Sequence, residues 1–220
     1  MDEKRALLFA NGLLEDVGEM QPYLQPDDYL VAVDGGLKHL DRLGRQPNIL
    51  IGDLDSVDPG RVIALREAGV EVEKYPVDKN ETDLELALLF AVRQGFKVIR
   101  VVGALGGRID QMLGNLYLLS LDGLVGCDIR LEDGKIEVAL IRKEIAIEGE
   151  PGDIVSLLPL GAPVTGVTTF DLKYPLRAET LYPDHTRGIS NVMLESQCRV
   201  TIESGQLLCI HMRSQFLSSR

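Results

Sequence analysis

Ile49-Leu50-Ile51-Gly52-Asp53-Leu54-Asp55-Ser56 is an apolar run that ends in two carboxylates one residue apart. The run and its closing glycine predict a buried strand arriving at its C-terminal tip. In an extended backbone residues i and i+2 point to the same side, about 7 Å apart, so Asp53 and Asp55 are expected to project together from a sheet edge. Open α/β folds bind their ligands at that edge. Two such carboxylates suit a hard cation that also holds phosphate oxygens, and Mg²⁺ is commonly bound in this way. Taken alone, Asp-x-Asp after a strand reads equally as a turn with a helix cap.

On either side of this stretch, strand-like and helix-like segments alternate. Ala6–Ala10, Tyr29–Val33, Ile49–Ile51, Val70–Tyr75 and Val98–Val102 are short, apolar and β-rich. Leu37–Leu43, Pro59–Ala68, Thr82–Gln94 and Gln111–Leu121 carry helical patterns. In the third of these, Leu84, Leu88 and Ala91 recur on one face, Thr82 or Asn80 can cap the start, and Gly95 can end it. The alternation predicts βαβ units and a Rossmann-like, mainly parallel sheet. After about Gly126 the pattern changes to short alternating runs: Ile129–Leu131, Ile136–Ile141, Ile145–Ile147, Ile154–Leu158, Val164–Thr169, Ile189–Leu194, Cys198–Ile202 and Leu207–Met212. Turn signals such as Asp133-Gly134 and Ser204-Gly205 separate them, which predicts an antiparallel β-sandwich or small barrel. A boundary near residue 130 therefore divides an α/β domain, 1–130, from a β-sandwich domain, 131–220.

With 220 residues, 45% of them hydrophobic but only 5% aromatic, the core is expected to be large and mainly aliphatic. A formal charge of −11 argues against a nucleic-acid backbone as partner. An anionic substrate is compatible only where metal ions or a local basic cluster offset the repulsion. Cys127, Cys198 and Cys209 lack C-x-x-C spacing and read as buried thiols of a reducing compartment. No signal peptide or transmembrane run is recognisable, and the expectation is a soluble cytoplasmic protein without membrane contact.

Four constellations follow predicted strands of the first domain. They are Asp34-Gly35-Gly36, Gly52 to Ser56, Asp78-Lys79-Asn80-Glu81-Thr82-Asp83, and Gly103-Ala104-Leu105-Gly106-Gly107-Arg108-Ile109-Asp110-Gln111. In a parallel sheet the C-terminal tips share one edge. Four Asp- and Gly-rich loops there, with Lys79 and Arg108 among them, resemble a polyphosphate–metal site. Each loop alone also reads as a turn or a solvated helix start; the joint pattern is much harder to dismiss. G-x-x-x-x-G-K-[ST] is absent, so the site is not a P-loop, and G-x-G-x-x-G and G-x-S-x-G are absent as well. His39 reads as a surface or packing residue, His185 as a loop residue and His211 as a strand residue, none of them a favoured catalyst.

The ordered set of these four motifs resembles the thiamine pyrophosphokinase family. Downstream, Ser156 to Leu160, Val164 to Leu176, and Gly188-Ile189-Ser190-Asn191 extend the resemblance over nearly the whole chain. It implies transfer of a pyrophosphoryl group from ATP to the hydroxyethyl group of thiamine with Mg²⁺, giving thiamine diphosphate and AMP. By resemblance Asp53, Asp55 and Asp83 hold the metal and triphosphate, with Asp78 and Asp110 nearby. Arg108 neutralises charge on the transferred group, and Lys79 and Gln111 hydrogen-bond phosphate or nucleotide. Asp34, Gly35, Gly36, Thr82, Gly106 and Gly107 complete the ATP-binding loops. A carboxylate, Asp34 or Asp55, accepts the thiamine hydroxyl proton. Tyr174, Ser190 and Asn191 belong to the thiamine site, which in this family lies between two subunits of a homodimer.

Several positions depart from the family pattern. Asn80 replaces a common Asp, Gln111 stands where many bacterial members have His, Asp171 replaces a frequent Gly, and Tyr174 replaces Trp. The rival readings are another metal-dependent phosphotransferase or phosphohydrolase using the same acidic edge, and a non-catalytic sensor of nucleotide or thiamine.

Overall fold

β-branched and apolar runs at Arg5–Phe9 (β1), Tyr29–Val33 (β2), Ile49–Gly52 (β3), Glu71–Lys74 (β4), Val98–Val102 (β5) and Asp128–Glu132 (β6) pair side by side in the computed structural model, which describes residues 4–216. All of these pairings are parallel, in the order β6-β5-β1-β2-β3-β4. They belong to the first of two compact units, Met1–Gly134 and Lys135–Arg220. Strand β6 corrects one expectation: the alternation of Ile129–Leu131 places it with the antiparallel runs, yet it joins β5 in parallel register. Its local alternation carries no information on the direction of its neighbour.

Helices at Leu37–Arg42 (α1), Pro59–Glu67 (α2), Asp83–Arg93 (α3) and Ile109–Leu118 (α4) follow β2, β3, β4 and β5. Alternate strand residues face opposite sides. Leu7, Phe9, Leu30, Ala32 and Leu50 pack with Leu37, Leu40, Val62 and Leu65 of α1 and α2. Leu8, Val31, Ile49 and Ile51 point the other way, buried on the side of α3, whose Leu84, Ala87, Leu88 and Ala91 are buried too. Each such aliphatic side chain contributes about 1.5–3 kcal/mol by leaving water. α3 is capped by Thr82, whose hydroxyl accepts from the Glu85 N–H at 3.2 Å, and ends at Gly95 with φ 88°. A 3₁₀ segment at Val17–Tyr23, not foreseen, packs Val17 and Met20 onto the α1/α2 side.

The second unit is a sandwich. Ile136–Ile141 (β7), Glu144–Glu148 (β8), Ile154–Pro159 (β9), Val164–Phe170 (β10), Glu179–Leu181 (β11), Asn191–Val192 (β12), Gln197–Thr201 (β13) and Leu207–Met212 (β14) pair antiparallel throughout. One layer runs β12-β9-β14-β7 and the other β11-β10-β13-β8. Inward residues of both layers, among them Val155, Leu157 and Leu207 against Val164, Val167 and Val200, form a single core. β11 was not expected, and the run Ile189–Leu194 supplies only a two-residue strand because Ser190 takes φ 60°. Among the described residues no helix is long and apolar enough to cross a membrane.

Candidate active site

Strand β1 has β2 on one side and β5 on the other, so the connections diverge there. This is the topological switch point at which open parallel sheets form a ligand crevice. The backbone zips onward past both strands, with Ala10 N–H donating to Val102 O at 2.8 Å and Gly12 N–H to Gly103 O at 2.9 Å. A cleft of about 580 Å³ opens above these tips, lined by the loops after β1, β2, β3, β4 and β5. That volume is within the range typical of small-molecule sites.

The loops deliver their carboxylates to one place. Asp34 follows β2 with φ 45°, in a region few side chains adopt, and is 6% exposed. Gly52, at the tip of β3, makes room for it: a Cβ there would stand 2.9 Å from the Asp34 Cβ. Asp83 opens α3, where the helix dipole favours a carboxylate. Oxygens of Asp34, Asp53 and Asp83 lie within 4.8 Å of one another. Asp34 Oδ1 is buried with no hydrogen-bond partner, and the buried Asp83 Oδ1 is met by the Lys79 ammonium in an ion pair at 3.0 Å. Buried acceptors without donors are costly, and a hard cation is the partner that such a set fits.

Asp53 and Asp55 do not project together as an extended strand would place them. Leu54 adopts φ 66°, and the Asp53 Oδ1 accepts the Asp55 N–H at 3.1 Å, an Asx-type turn. Asp55 still lines the cleft, with Ser56 Oγ donating to it at 3.0 Å, but it stands outside the three-carboxylate cluster. The Asp55 N–H, aided by Lys79 against the effect of burial, holds Asp53 below the ordinary carboxylate range. Burial pushes Asp83 up, and Asp53 and Asp34 add to this while Lys79 offsets part of it. Lys79 Nζ forms ion pairs with Asp83 Oδ1 at 3.0 Å and Asp53 Oδ2 at 3.4 Å. Burial lowers the lysine, but those two carboxylates outweigh it and hold the ammonium above its ordinary value.

Around this centre the cleft includes Thr82, Gly106, Arg108, Asp110 and Gln111. Arg108 and Asp110 form a bidentate pair, at 2.6 and 3.1 Å, on the exposed rim. Gly35 and Gly36 lie buried beneath the cleft; a Cβ on Gly36 would stand only 1.8 Å from the Phe9 carbonyl oxygen. Asp78 and Gly107 are outside the lining.

Sequence reasoning passed over Asn11 and Gly12, which line the cleft. The turn dipeptide Asn-Gly directly after the first strand was their available signal. Lys38 Nζ fixes this loop by donating to Asn11 O and Asn11 Oδ1, each at 2.8 Å. His39 is not at the surface but buried on α1, 3.0 Å from the Gly12 carbonyl. The carbonyl can only accept, so Nε2 carries the proton. Burial, ahead of the opposing Gly12 bond, lowers the His39 pKa and keeps the ring neutral at pH 7.

In the sandwich unit, Asn191 is buried and its amide bridges the Tyr174 backbone, with the Val192 N–H also donating to Oδ1 at 2.9 Å. Its Oδ1 accepts from Tyr174 N at 2.9 Å and its Nδ2 donates to Tyr174 O at 2.7 Å. The Tyr174 side chain is about half exposed, with Lys173 Nζ 5.6 Å from its ring centroid. Ser190 N–H donates to Ser156 Oγ at 3.0 Å. Asp171, where the family pattern has Gly, takes φ 60°, a conformation that Asp tolerates better than most residues.

Residues 20–123 match the thiamin pyrophosphokinase catalytic domain, and residues 142–209 match the thiamin pyrophosphokinase vitamin B1 binding domain. The thiamine pyrophosphokinase of Bacillus subtilis is 27% identical over 205 residues, covering 92% of this chain and 96% of the relative. Thiamine pyrophosphokinase 1 of Oryza sativa is 26% identical over 216 residues, covering 93% of this chain and 76% of its own. The crystal structure of the Bacillus subtilis protein superposes with a TM-score of 0.85 over 96% of this chain and 99% of its own, at 27% identity. Yeast thiamin pyrophosphokinase shares the fold, with a TM-score of 0.75 at 20% identity over 98% of this chain and 88% of its own. The chain belongs to the thiamine pyrophosphokinase family.

Proposed function

We propose that the protein is a thiamine pyrophosphokinase that moves the pyrophosphoryl group of ATP to the hydroxyethyl oxygen of thiamine. The observation that carries the placement of the chemistry is the cluster of Asp34, Asp53 and Asp83 at the switch point, with the buried Asp34 Oδ1 lacking a hydrogen-bond partner. Those three carboxylates suit Mg²⁺, and when bound it neutralises triphosphate charge and polarises the phosphorus under attack. The α/β domain accordingly takes ATP and the metal, and the β-sandwich domain takes thiamine.

In the reaction the thiamine hydroxyl oxygen forms a bond to the β-phosphorus, and the bond from that phosphorus to the α–β bridging oxygen breaks, releasing AMP. Positioning and electrostatic stabilisation supply most of the acceleration in such transfers. With Asp34 in the cation cluster, Asp55 is the cleft carboxylate that accepts the hydroxyl proton. Arg108, oriented by Asp110, neutralises charge on the transferred group, and Lys79 and Gln111 bind phosphate or nucleotide. Thr82 holds the N-terminus of α3, so that Asp83 keeps its place. Asn191 acts through Tyr174, fixing the backbone that presents the ring to the thiamine cation, while Ser190 lies beside it.

A homodimer with the thiamine site between subunits fits the exposed apolar stripe of α4, where Ile109, Leu113 and Tyr117 recur every four residues. Light scattering of the purified protein is expected to give twice the chain mass, and Leu113→Lys to give the monomer.

Purified protein with ATP and Mg²⁺ is expected to consume ATP only when thiamine is present, releasing AMP and thiamine diphosphate in equal amounts. ATP turnover indifferent to thiamine would favour the phosphohydrolase reading instead.

A further inference from the structure

Lys79 stands among the same oxygens that suit the divalent ion. Its Nζ lies 3.0 Å from Asp83 Oδ1 and 3.4 Å from Asp53 Oδ2, and it donates to the Pro76 carbonyl at 3.2 Å. The side chain is only 11% exposed, so the ammonium lies within the cluster rather than in solvent. A magnesium ion takes carboxylate oxygens at about 2.0–2.1 Å, and an ammonium on the same oxygens competes for their lone pairs and repels the ion. The lysine cannot satisfy the whole cluster, since Asp34 Oδ1 keeps no donor. Lys79 also lies between β4 and α3, in a segment without helix or strand, so its side chain can turn away without breaking an element. The cleft directly above is lined by Gly106, Arg108 and Gln111, where a polyanion would meet a displaced ammonium.

We propose that Lys79 is an internal counter-cation which the divalent ion displaces, and that the nucleotide triphosphate receives the displaced ammonium. This rests on the assignment of the acidic cluster to Mg²⁺ and ATP. Metal alone then binds weakly, because it evicts a cation that has no new partner. Metal and triphosphate together bind cooperatively, and by linkage each strengthens the other equally.

The test is a manganese titration followed by electron paramagnetic resonance, without nucleotide, on the wild type, Lys79→Met, Lys79→Gln and Lys79→Arg. Removing the charge is expected to tighten Mn²⁺ binding about tenfold, the scale of ordinary site coupling, in both neutral variants. Lys79→Arg, which keeps a cation there, should stay near wild type. In parallel, equilibrium dialysis with α,β-methylene-ATP should show a smaller metal-dependent gain in nucleotide affinity for Lys79→Met than for the wild type. Unchanged or weaker Mn²⁺ binding in folded Lys79→Met or Lys79→Gln overturns the displacement while leaving the metal site standing. Absence of Mn²⁺ binding to every protein, with or without the analogue, overturns the metal assignment and this inference with it.

Discussion

At Asp53 the chain turns instead of extending, and that single bend separates the roles of two carboxylates that look equivalent in sequence. Asp53 faces Asp34 and Asp83, while Asp55 lines the cleft apart from them. Asp53→Asn keeps the oxygen that accepts the Asp55 N–H, so the turn survives. It is expected to lose both Mn²⁺ binding and turnover, with a melting temperature within a few degrees of wild type. Asp55→Asn should retain Mn²⁺ binding and lose about 10²–10⁴-fold in kcat, the usual contribution of a general base. Kinetics and metal titration on the two variants separate these outcomes, and near-normal activity in both contradicts the division of roles. The residue types of the cleft were legible in the sequence because acids and glycines crowd the ends of apolar runs. Their directions were not legible, since Asp34 and Leu54 both take positive φ, Leu54 inside the turn closed by Asp53 Oδ1 and the Asp55 N–H, and no local pattern announces it. Of the two readings of His39, surface or packing, the structure takes the second, and its partner, the Gly12 carbonyl, is a tertiary contact that no local pattern announces.

Elements were readable where their periodicity was strong. The Leu84, Leu88 and Ala91 stripe, Thr82 and Gly95 gave α3 with its cap and its end. Thr82→Ala is expected to cost about 1 kcal/mol in urea denaturation, and Thr82→Ser to restore it. The direction of β6 was not readable, because a strand takes its parallel or antiparallel character from its neighbour. β11 and β12 are short and irregular, held by tertiary bonds more than by alternation. Strand β14 owes part of its anchoring to a buried carboxylate. Asp153 Oδ2 lies 2.8 Å from His211 Nε2, and Asp153 Oδ1 accepts the Ser214 N–H at 2.7 Å. Burial alone would raise the Asp153 pKa, but the Ser214 and Glu150 N–H groups and His211 outweigh it and lower the value. A depressed carboxylate stabilises the fold fully above its unfolded pKa of about 3.9 and loses that contribution as pH falls through the folded value. Thermal melts from pH 5 to pH 2 should therefore show a steeper loss for wild type than for Asp153→Asn. The variant should be less stable by about 1–3 kcal/mol at pH 7.

Over the whole molecule, a chain of net charge −11 can hold a triphosphate only where cations are gathered locally. Lys79 and Arg108 line the cleft at one edge of one sheet, and in the proposed reading they supply those cations together with a divalent ion on the carboxylate cluster. Strand order converts sequence into this concentration: residues as far apart in the chain as Asn11 and Gln111 arrive at the same edge because every strand of the first unit runs the same way. The two-part organisation was legible because periodicity changes along the chain, and the switch point was not, because strand order depends on pairing beyond any local window. The central claim is that two phosphates move together from ATP to thiamine. Parallel reactions with ATP labelled with ³²P at the β or at the γ position test it most directly. Both labels are expected in thiamine diphosphate in equal yield, with unlabelled AMP as the other product. Transfer of the γ label alone, with the β label retained in ADP, would contradict it.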